Sequence, residues 1–140
     1  MDITVREDNL EWAMALHRSC PVVDAHLDLA GEILMRHKIG ETDVIQKYYL
    51  ENFRKAGIKL VFSSIFVENE NLDSAWENAM DQIRVLKKEV ESLSEVMLVT
   101  NREELNTLLA GDKIGILIYM EGLECIGEDI DKLDELYQMG

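Results

Sequence analysis

Short apolar segments alternate with amphipathic segments along the chain, and this alternation restricts its fold more than any other feature. Four segments are apolar and rich in β-branched or aromatic residues, which is typical of buried strands; they are residues 22–28 (VVDAHLD), 58–67 (IKLVFSSIFV), 96–100 (VMLVT) and 114–122 (IGILIYMEG). The segments with helical spacing are residues 7–19, 44–57, 72–93, 102–110 and 129–139. Apolar strands that alternate with helices form parallel sheets with both faces covered, so we predict an α/β fold.

The number and type of strands agree with part of a (β/α)8 barrel. The 140 residues have the length of one ordinary domain, and we interpret residues 1–140 as a single domain. A complete barrel typically needs ~250 residues, so this chain would supply about half of one, with about four parallel strands. Four strands cannot close a barrel and would leave open edges. We therefore expect either a homo-oligomer or a truncated chain that lacks a C-terminal half.

Charged residues interrupt the first apolar strand at every second position. In PVVDAHLDLA, residues 21–30, Asp24, His26 and Asp28 alternate with apolar residues. Alternate residues of a strand lie on one face, so one side of this strand would carry two carboxylates and an imidazole. Such a cluster is costly to bury unless its charge is compensated, and a divalent metal ion would compensate it.

A further acidic residue ends the last apolar strand. Glu121 follows residues 114–120 and precedes Gly122. In barrels the functional side chains project from the carboxyl ends of strands, which places His26, Asp28 and Glu121 at one rim. We predict that these three residues bind metal. We expect Asp24, which sits lower on its strand, to hold a backbone N–H group or to order His26 from behind.

The charge and cysteine content exclude several classes of function. The net charge of −14 argues against nucleic acid or an anionic membrane as a partner, because phosphate binding needs clustered lysine and arginine. No apolar run reaches the ~18 residues of a membrane span, and the charged N-terminus does not resemble a signal peptide. Two cysteines do not make a disulfide framework. These features favour a reduced, cytoplasmic protein.

Several segments resemble a known family. PVVDAHLDLA resembles the first strand of the membrane (renal) dipeptidase family, within the amidohydrolase superfamily. Residues 51–67 (ENFRKAGIKLVFSSIFV) are similar to the second helix and strand of that family. Residues 114–122 (IGILIYMEG) with 130–140 (IDKLDELYQMG) resemble its strand with a metal-bridging glutamate and the following helix. The H-x-D and E-G pairs are the specific parts of this likeness, which runs through most of residues 20–140.

The resemblance implies a zinc-dependent dipeptidase with two Zn²⁺ ions in a complete site, built on the N-terminal half of a barrel. By position, His26 and Asp28 would bind one ion and Glu121 would bridge both, with a metal-bridging hydroxide attacking the peptide bond of a small dipeptide. The family's two later histidines and its late catalytic aspartate match no residue here, so the catalytic residue of this chain is unknown. We therefore expect the 140-residue chain alone to be inactive or weakly active.

The sequence departs from the family at two points and leaves other functions open. Val61 stands where the family usually has glutamine, and Leu123 and Glu124 stand where it often has Gly-His. A related amidohydrolase acting on another small amide or a lactone is one alternative. A non-catalytic half-barrel that docks a partner through the helix at residues 72–93 is another.

Three further expectations concern local structure. Thr100 and Glu103 have the spacing of a capping box for the helix at residues 102–110. We expect His17 to pack on a helix face. We expect His37, between two basic residues, to face solvent.

Overall fold

The computed structural model describes residues 7–140 and contains four strands and six α-helices within them. The elements in chain order are α1 (Glu7–Ser19), β1 (Val22–Leu27), α2 (Leu29–Lys38), α3 (Leu50–Ala56), β2 (Ile58–Ile65), α4 (Ala75–Glu91), β3 (Val96–Leu98), α5 (Arg102–Ala110), β4 (Ile114–Met120) and α6 (Lys132–Gln138). A π-helical turn, Ile45–Tyr49, leads into α3, and short 3-10 helices at Asn69–Ser74 and Glu124–Ile126 precede α4 and follow β4. The predicted α/β fold with four strands alternating with helices is confirmed. None of these helices combines the length and the apolar character that a membrane span requires.

All strand pairs are parallel, and the strands lie in the order β1-β2-β4-β3. β2 and β4 pair without interruption from Leu60 opposite Gly115 to Ile65 opposite Met120. β3 has three residues and pairs only with the beginning of β4, so it lies at the outer edge of the sheet and not between β2 and β4. The three longer strands are therefore neighbours, and their carboxyl ends meet at one edge.

The helices cover the two faces of the sheet unequally. The larger hydrophobic core lies between the sheet and helices α2, α3 and α4, and the smaller one lies under α5 on the other face. β1 is an edge strand, and its side chains Val23 and Ala25, which the alternating pattern predicts to be packed, are exposed.

A buried carboxylate joins three helical segments behind the sheet. Glu89 of α4 has a side chain only 3% exposed, and it accepts hydrogen bonds from the backbone N–H groups of Val44 (3.0 Å) and Ile45 (3.1 Å). His37 at the end of α2 lies 2.7 Å from the same carboxylate. The expectation that His37 faces solvent is wrong, because this long-range partner draws its ring inward. His17 contacts the carbonyl oxygen of Ala56 through Nδ1 at 2.9 Å.

Two helix ends show how local sequence sets the element boundaries. Gly57 ends α3 with a φ of +71°, a conformation that glycine adopts without strain. The N-cap of α5 is Asn101, one residue after the predicted Thr100. Its side chain accepts the N–H of Glu104 at 2.9 Å. The N–H of Thr100 donates to the Glu104 carboxylate at 2.7 Å and holds the pKa of that carboxyl below its ordinary value.

Candidate metal centre

His26 lies near the end of β1, at an irregularity in the strand. The pairing of β1 with β2 shifts register between Asp24 and Leu27, and such bulges re-aim side chains beside functional sites. Within this irregular stretch the Asp24 carboxylate accepts the backbone N–H of His26 at 3.1 Å. Asp24 thus contacts the main chain of His26, which is the first of the two roles that we expected for it.

Asp28 lies just beyond β1, at the N-cap position of α2. Its carboxylate does not cap the helix. Instead it accepts a short hydrogen bond from the hydroxyl of Ser64 on the neighbouring strand β2, and the same hydroxyl lies 3.3 Å from the carbonyl oxygen of Leu27. The adjacency of β1 and β2 therefore orients the Asp28 side chain.

Glu121 follows β4 directly and extends its pairing with β2. Its N–H donates to the carbonyl oxygen of Ile65 at 3.0 Å. Gly122 then turns the chain with a φ of +86°, and a Cβ at this position would lie about 3.0 Å from the carboxyl carbon of Glu124. The glycine therefore lets the chain leave the sheet immediately after Glu121, which keeps that side chain at the rim.

The three predicted ligands come together in the structure. His26 Nε2 lies 3.4 Å from Asp28 Oδ1 and 3.3 Å from Glu121 Oε2, although residues 26 and 121 are far apart in sequence. One ligand atom from each residue lies within 4.8 Å of the others. The three side chains are 53%, 71% and 42% exposed, so the group faces open solvent.

These separations suit a bound zinc ion. Zinc–nitrogen and zinc–oxygen bonds of about 2.1 Å in a tetrahedral arrangement place neighbouring ligand atoms about 3.4 Å apart. The two measured separations agree with that value, and both exceed the ordinary length of an N–H···O hydrogen bond. Imidazole and carboxylate are also the ligand types that zinc accepts. The donor set therefore fits a divalent metal ion.

Tyr119 supports His26 from the far side of its ring. The Tyr119 hydroxyl lies 2.5 Å from His26 Nδ1, and the two rings meet edge to face with centroids 5.9 Å apart. Desolvation, with the nearby charges of Glu121 and Asp28, raises the pKa of the Tyr119 phenol above its ordinary value. The contact occupies Nδ1 and leaves Nε2 directed at the two carboxylates. Partners of this kind fix the orientation of metal-binding histidines.

Sequence reasoning missed Ser64 and Tyr119. They are paired across β2 and β4, and Tyr119 stands two residues before Glu121 on the same side of the chain. Because alternate residues of a strand share a face, the position of Tyr119 two residues before Glu121 could have indicated that it lies beside the group. Ser64 could be found only by knowing how β2 pairs with β1.

The two cysteines take no part in this group. Cys20 is exposed and Cys125 is buried, and both are free thiols. Burial raises the pKa of the Cys125 thiol, which disfavours the thiolate form that binds metal.

Comparison with known proteins agrees with the resemblance predicted from the sequence. The sequence model of the family described as Membrane dipeptidase (Peptidase family M19) matches residues 10–140. Dipeptidase 3 of Homo sapiens is 32% identical over 139 residues, covering 91% of this chain and 27% of the human protein. Dipeptidase 3 of Macaca fascicularis is 31% identical over 139 residues, with the same coverage. The chain thus spans about a quarter of the length of these curated relatives.

Solved structures show the same fold. Dipeptidase AC, a metallopeptidase of family M19, superposes with a TM-score of 0.75 at 20% identity, over 86% of this chain and 40% of that one. A metallopeptidase from Rhodobacter sphaeroides gives a TM-score of 0.75 at 18% identity, over 86% of this chain and 43% of that one. The four parallel strands with their helices thus match part of the family fold. With the family match over residues 10–140, the chain belongs to the membrane dipeptidase family, peptidase family M19.

Proposed function

We propose that this chain carries part of the active site of a zinc-dependent dipeptidase, in which His26 and Asp28 bind one zinc ion and Glu121 bridges to a second. The observation that carries the proposal is the convergence of one imidazole and two carboxylates at 3.3–3.4 Å. Zinc ions bound there would supply Lewis-acid chemistry, by lowering the pKa of water and polarising the peptide carbonyl.

The residues of this chain would prepare the site before substrate arrives. Tyr119 holds the ring of His26 through Nδ1 and directs Nε2 toward the two carboxylates. Nε2 would bind zinc through its lone pair in the tautomer in which Nδ1–H donates to the Tyr119 oxygen. Ser64 donates to Asp28 and restricts the rotation of that carboxylate. Because both supporting groups lie on neighbouring strands of one sheet, the ligands are held by regular structure and not by loops alone.

The names of the relatives support a dipeptide as the substrate. The curated relatives are named dipeptidase, and the Rhodobacter sphaeroides metallopeptidase is liganded with a phosphinate mimic of the dipeptide L-Ala-D-Ala. A catalytic zinc site uses about three protein ligands. The three donors described here therefore suffice for one ion and not for two. We accordingly expect the 140-residue chain to bind a single zinc ion and to hydrolyse L-Ala-D-Ala weakly or not at all.

Calorimetric titration with zinc tests the metal site. We expect one zinc ion per chain, with affinity at least tenfold lower in His26→Ala and in Glu121→Gln. Glu128→Gln removes a carboxylate from an exposed position outside the group and should leave the affinity unchanged. Equal zinc affinity in all four proteins would contradict the proposal.

A coupled assay for released alanine tests the hydrolytic step on the same zinc-loaded chain. Efficient cleavage of L-Ala-D-Ala would show that these residues suffice for catalysis and would overturn the expectation of weak activity. Preferential cleavage of another small amide or of a lactone would overturn the assignment of a dipeptide.

A further inference from the structure

A recess opens directly beside the candidate metal centre. Its volume is about 390 Å³, and Asp28 and Ser64 form one part of its wall. The remaining wall comes from α2, from the segment that follows β2, and from α4. Small-molecule sites in proteins typically have volumes of roughly 300–1,000 Å³, so the recess can hold a group of side-chain size.

Gly31 of α2 leaves free space in the recess, and apolar side chains form part of its wall. A Cβ built on Gly31 would meet only the side-chain oxygen of Gln82, at 3.7 Å, so a larger side chain there would project into the free space. Met35 and Phe66 line the same space and are 59% and 40% exposed, although large apolar side chains gain most from burial. A ligand in the recess would cover both.

The wall of the recess also carries a fixed hydrogen-bond acceptor. The Gln82 side chain is nearly buried, and its NH₂ group donates to the carbonyl oxygen of Phe66 at 2.5 Å and to Asn78 Oδ1 at 2.7 Å. Both of its N–H groups are thereby used. No described residue donates to the remaining Gln82 oxygen, which is the atom that a Cβ built on Gly31 would meet. The Asn78 oxygen is also used, which leaves the Asn78 NH₂ group as a donor.

The charges around the recess offset one another. Glu32 forms an ion pair with Arg36 at 2.6 Å, and Asp28 is assigned to the metal. The other two charged residues of the lining, Glu68 and Lys38, have opposite signs. The recess therefore offers no net charge of its own to a ligand.

We propose that this recess receives one side chain of the dipeptide substrate, and that it selects an uncharged side chain with hydrogen-bonding groups at its end, such as that of glutamine. Gly31 sets the size of the accepted side chain. The Gln82 oxygen accepts its N–H, and the Asn78 NH₂ group donates to its carbonyl oxygen. This inference rests on the proposed function for the reaction at the metal, but it depends on different residues.

Nuclear magnetic resonance of the 140-residue chain tests the recess without requiring catalysis. Glycyl-glutamine and glutaminyl-glycine are titrated in parallel, because either residue of a dipeptide can supply the side chain that enters the recess. Glycyl-methionine and glycyl-glycine serve as comparisons. We expect at least one glutamine dipeptide to shift the Gly31 backbone signal and the Gln82 and Asn78 side-chain signals. The methionine dipeptide should bind at least tenfold more weakly, and glycyl-glycine should leave these signals in place.

Two variants at one position form the matched pair. Gly31→Leu should weaken the glutamine dipeptide at least tenfold, whereas Gly31→Ala should change its Kd less than twofold. Unchanged binding in Gly31→Leu, or equal binding of glutamine and methionine dipeptides, would overturn the proposal. If the spectrum of Gly31→Leu shows that this variant is unfolded, the signals of the unsubstituted protein test the proposal instead. The proposal is overturned if the glutamine dipeptides shift no signals in the recess or shift mainly signals elsewhere.

A zinc titration monitored at the His26 ring separates the two proposals. Zinc binding at His26 without dipeptide shifts in the recess would overturn the recess and keep the proposed function. Dipeptide shifts in the recess without zinc binding at His26 would keep the recess and overturn the metal site.

Discussion

Replacing Tyr119 with phenylalanine would remove the one hydroxyl that the structure places against His26 Nδ1, at 2.5 Å. The phenyl ring would remain and keep its edge-to-face contact with His26 and its contact with Phe62, where the centroids lie 6.4 Å apart. The substitution should therefore change the orientation of the imidazole while leaving the packing of β4 intact. It isolates the contribution of the hydroxyl to metal binding.

The exposure of His26 sets the size of the expected effect. Loss of a hydrogen-bond partner behind a metal-binding histidine typically lowers metal affinity by about 10–100-fold. The His26 side chain is 53% exposed, so water can replace the hydroxyl at Nδ1 and the loss should lie near the lower limit. We predict about a tenfold decrease in zinc affinity for Tyr119→Phe, with little change in the urea concentration at the unfolding midpoint.

Calorimetric zinc titration of Tyr119→Phe, of the unsubstituted chain and of Tyr137→Phe measures this effect. Tyr137 lies on α6 with 86% of its surface exposed, so its hydroxyl serves as a control for loss of a phenol elsewhere. Equal affinity in Tyr119→Phe and the unsubstituted chain would refute the reasoning that the hydroxyl orients His26. An equal loss in both variants would also refute it.

Three other substitutions test the fold around the site. Glu89→Ala leaves two buried backbone N–H groups without their acceptor, so we expect urea denaturation to show a loss of about 3–5 kcal/mol, against little change for the exposed Glu91→Ala. Gly122→Ala forces a side chain into a φ of +86°, and thermal unfolding should show destabilisation of about 1–3 kcal/mol; an unchanged midpoint would contradict this. The hydrogen bond from Arg36 lowers the pKa of the Glu41 carboxyl, so its contribution to stability is present at neutral pH and lost as pH falls through the folded-state pKa. The difference in unfolding midpoint between the unsubstituted chain and Glu41→Gln should therefore shrink on acidification, and a constant difference would count against it.

Patterns within single segments indicated the residues of the candidate metal centre. The charges at alternate positions in PVVDAHLDLA indicated His26 and Asp28, and the position of Glu121 after an apolar strand indicated the third residue of the group. Both signals are local, and the rule that active residues gather at the carboxyl ends of parallel strands joined them. That rule needed no knowledge of which strands are neighbours.

Sequence patterns did not predict features that depend on strand order or on contacts between distant residues. β3 pairs with only the first part of β4 and lies at the edge of the sheet. The composition of β3 does not reveal this position, so the sequence does not show that β2 and β4 are neighbours. Without that pairing Ser64 has no visible relation to Tyr119. His37 lies between two basic residues, which favours a surface position, whereas its partner Glu89 is 52 residues away in sequence.

X-ray absorption spectroscopy of the chain loaded with one equivalent of zinc identifies the atoms bound to the metal, and it therefore shows whether His26 is a zinc ligand. We expect a shell of nitrogen and oxygen atoms at about 2.0–2.2 Å, with outer scattering from one imidazole that disappears in His26→Ala. A sulfur shell at about 2.3 Å, or a spectrum that His26→Ala leaves unchanged, would contradict this expectation.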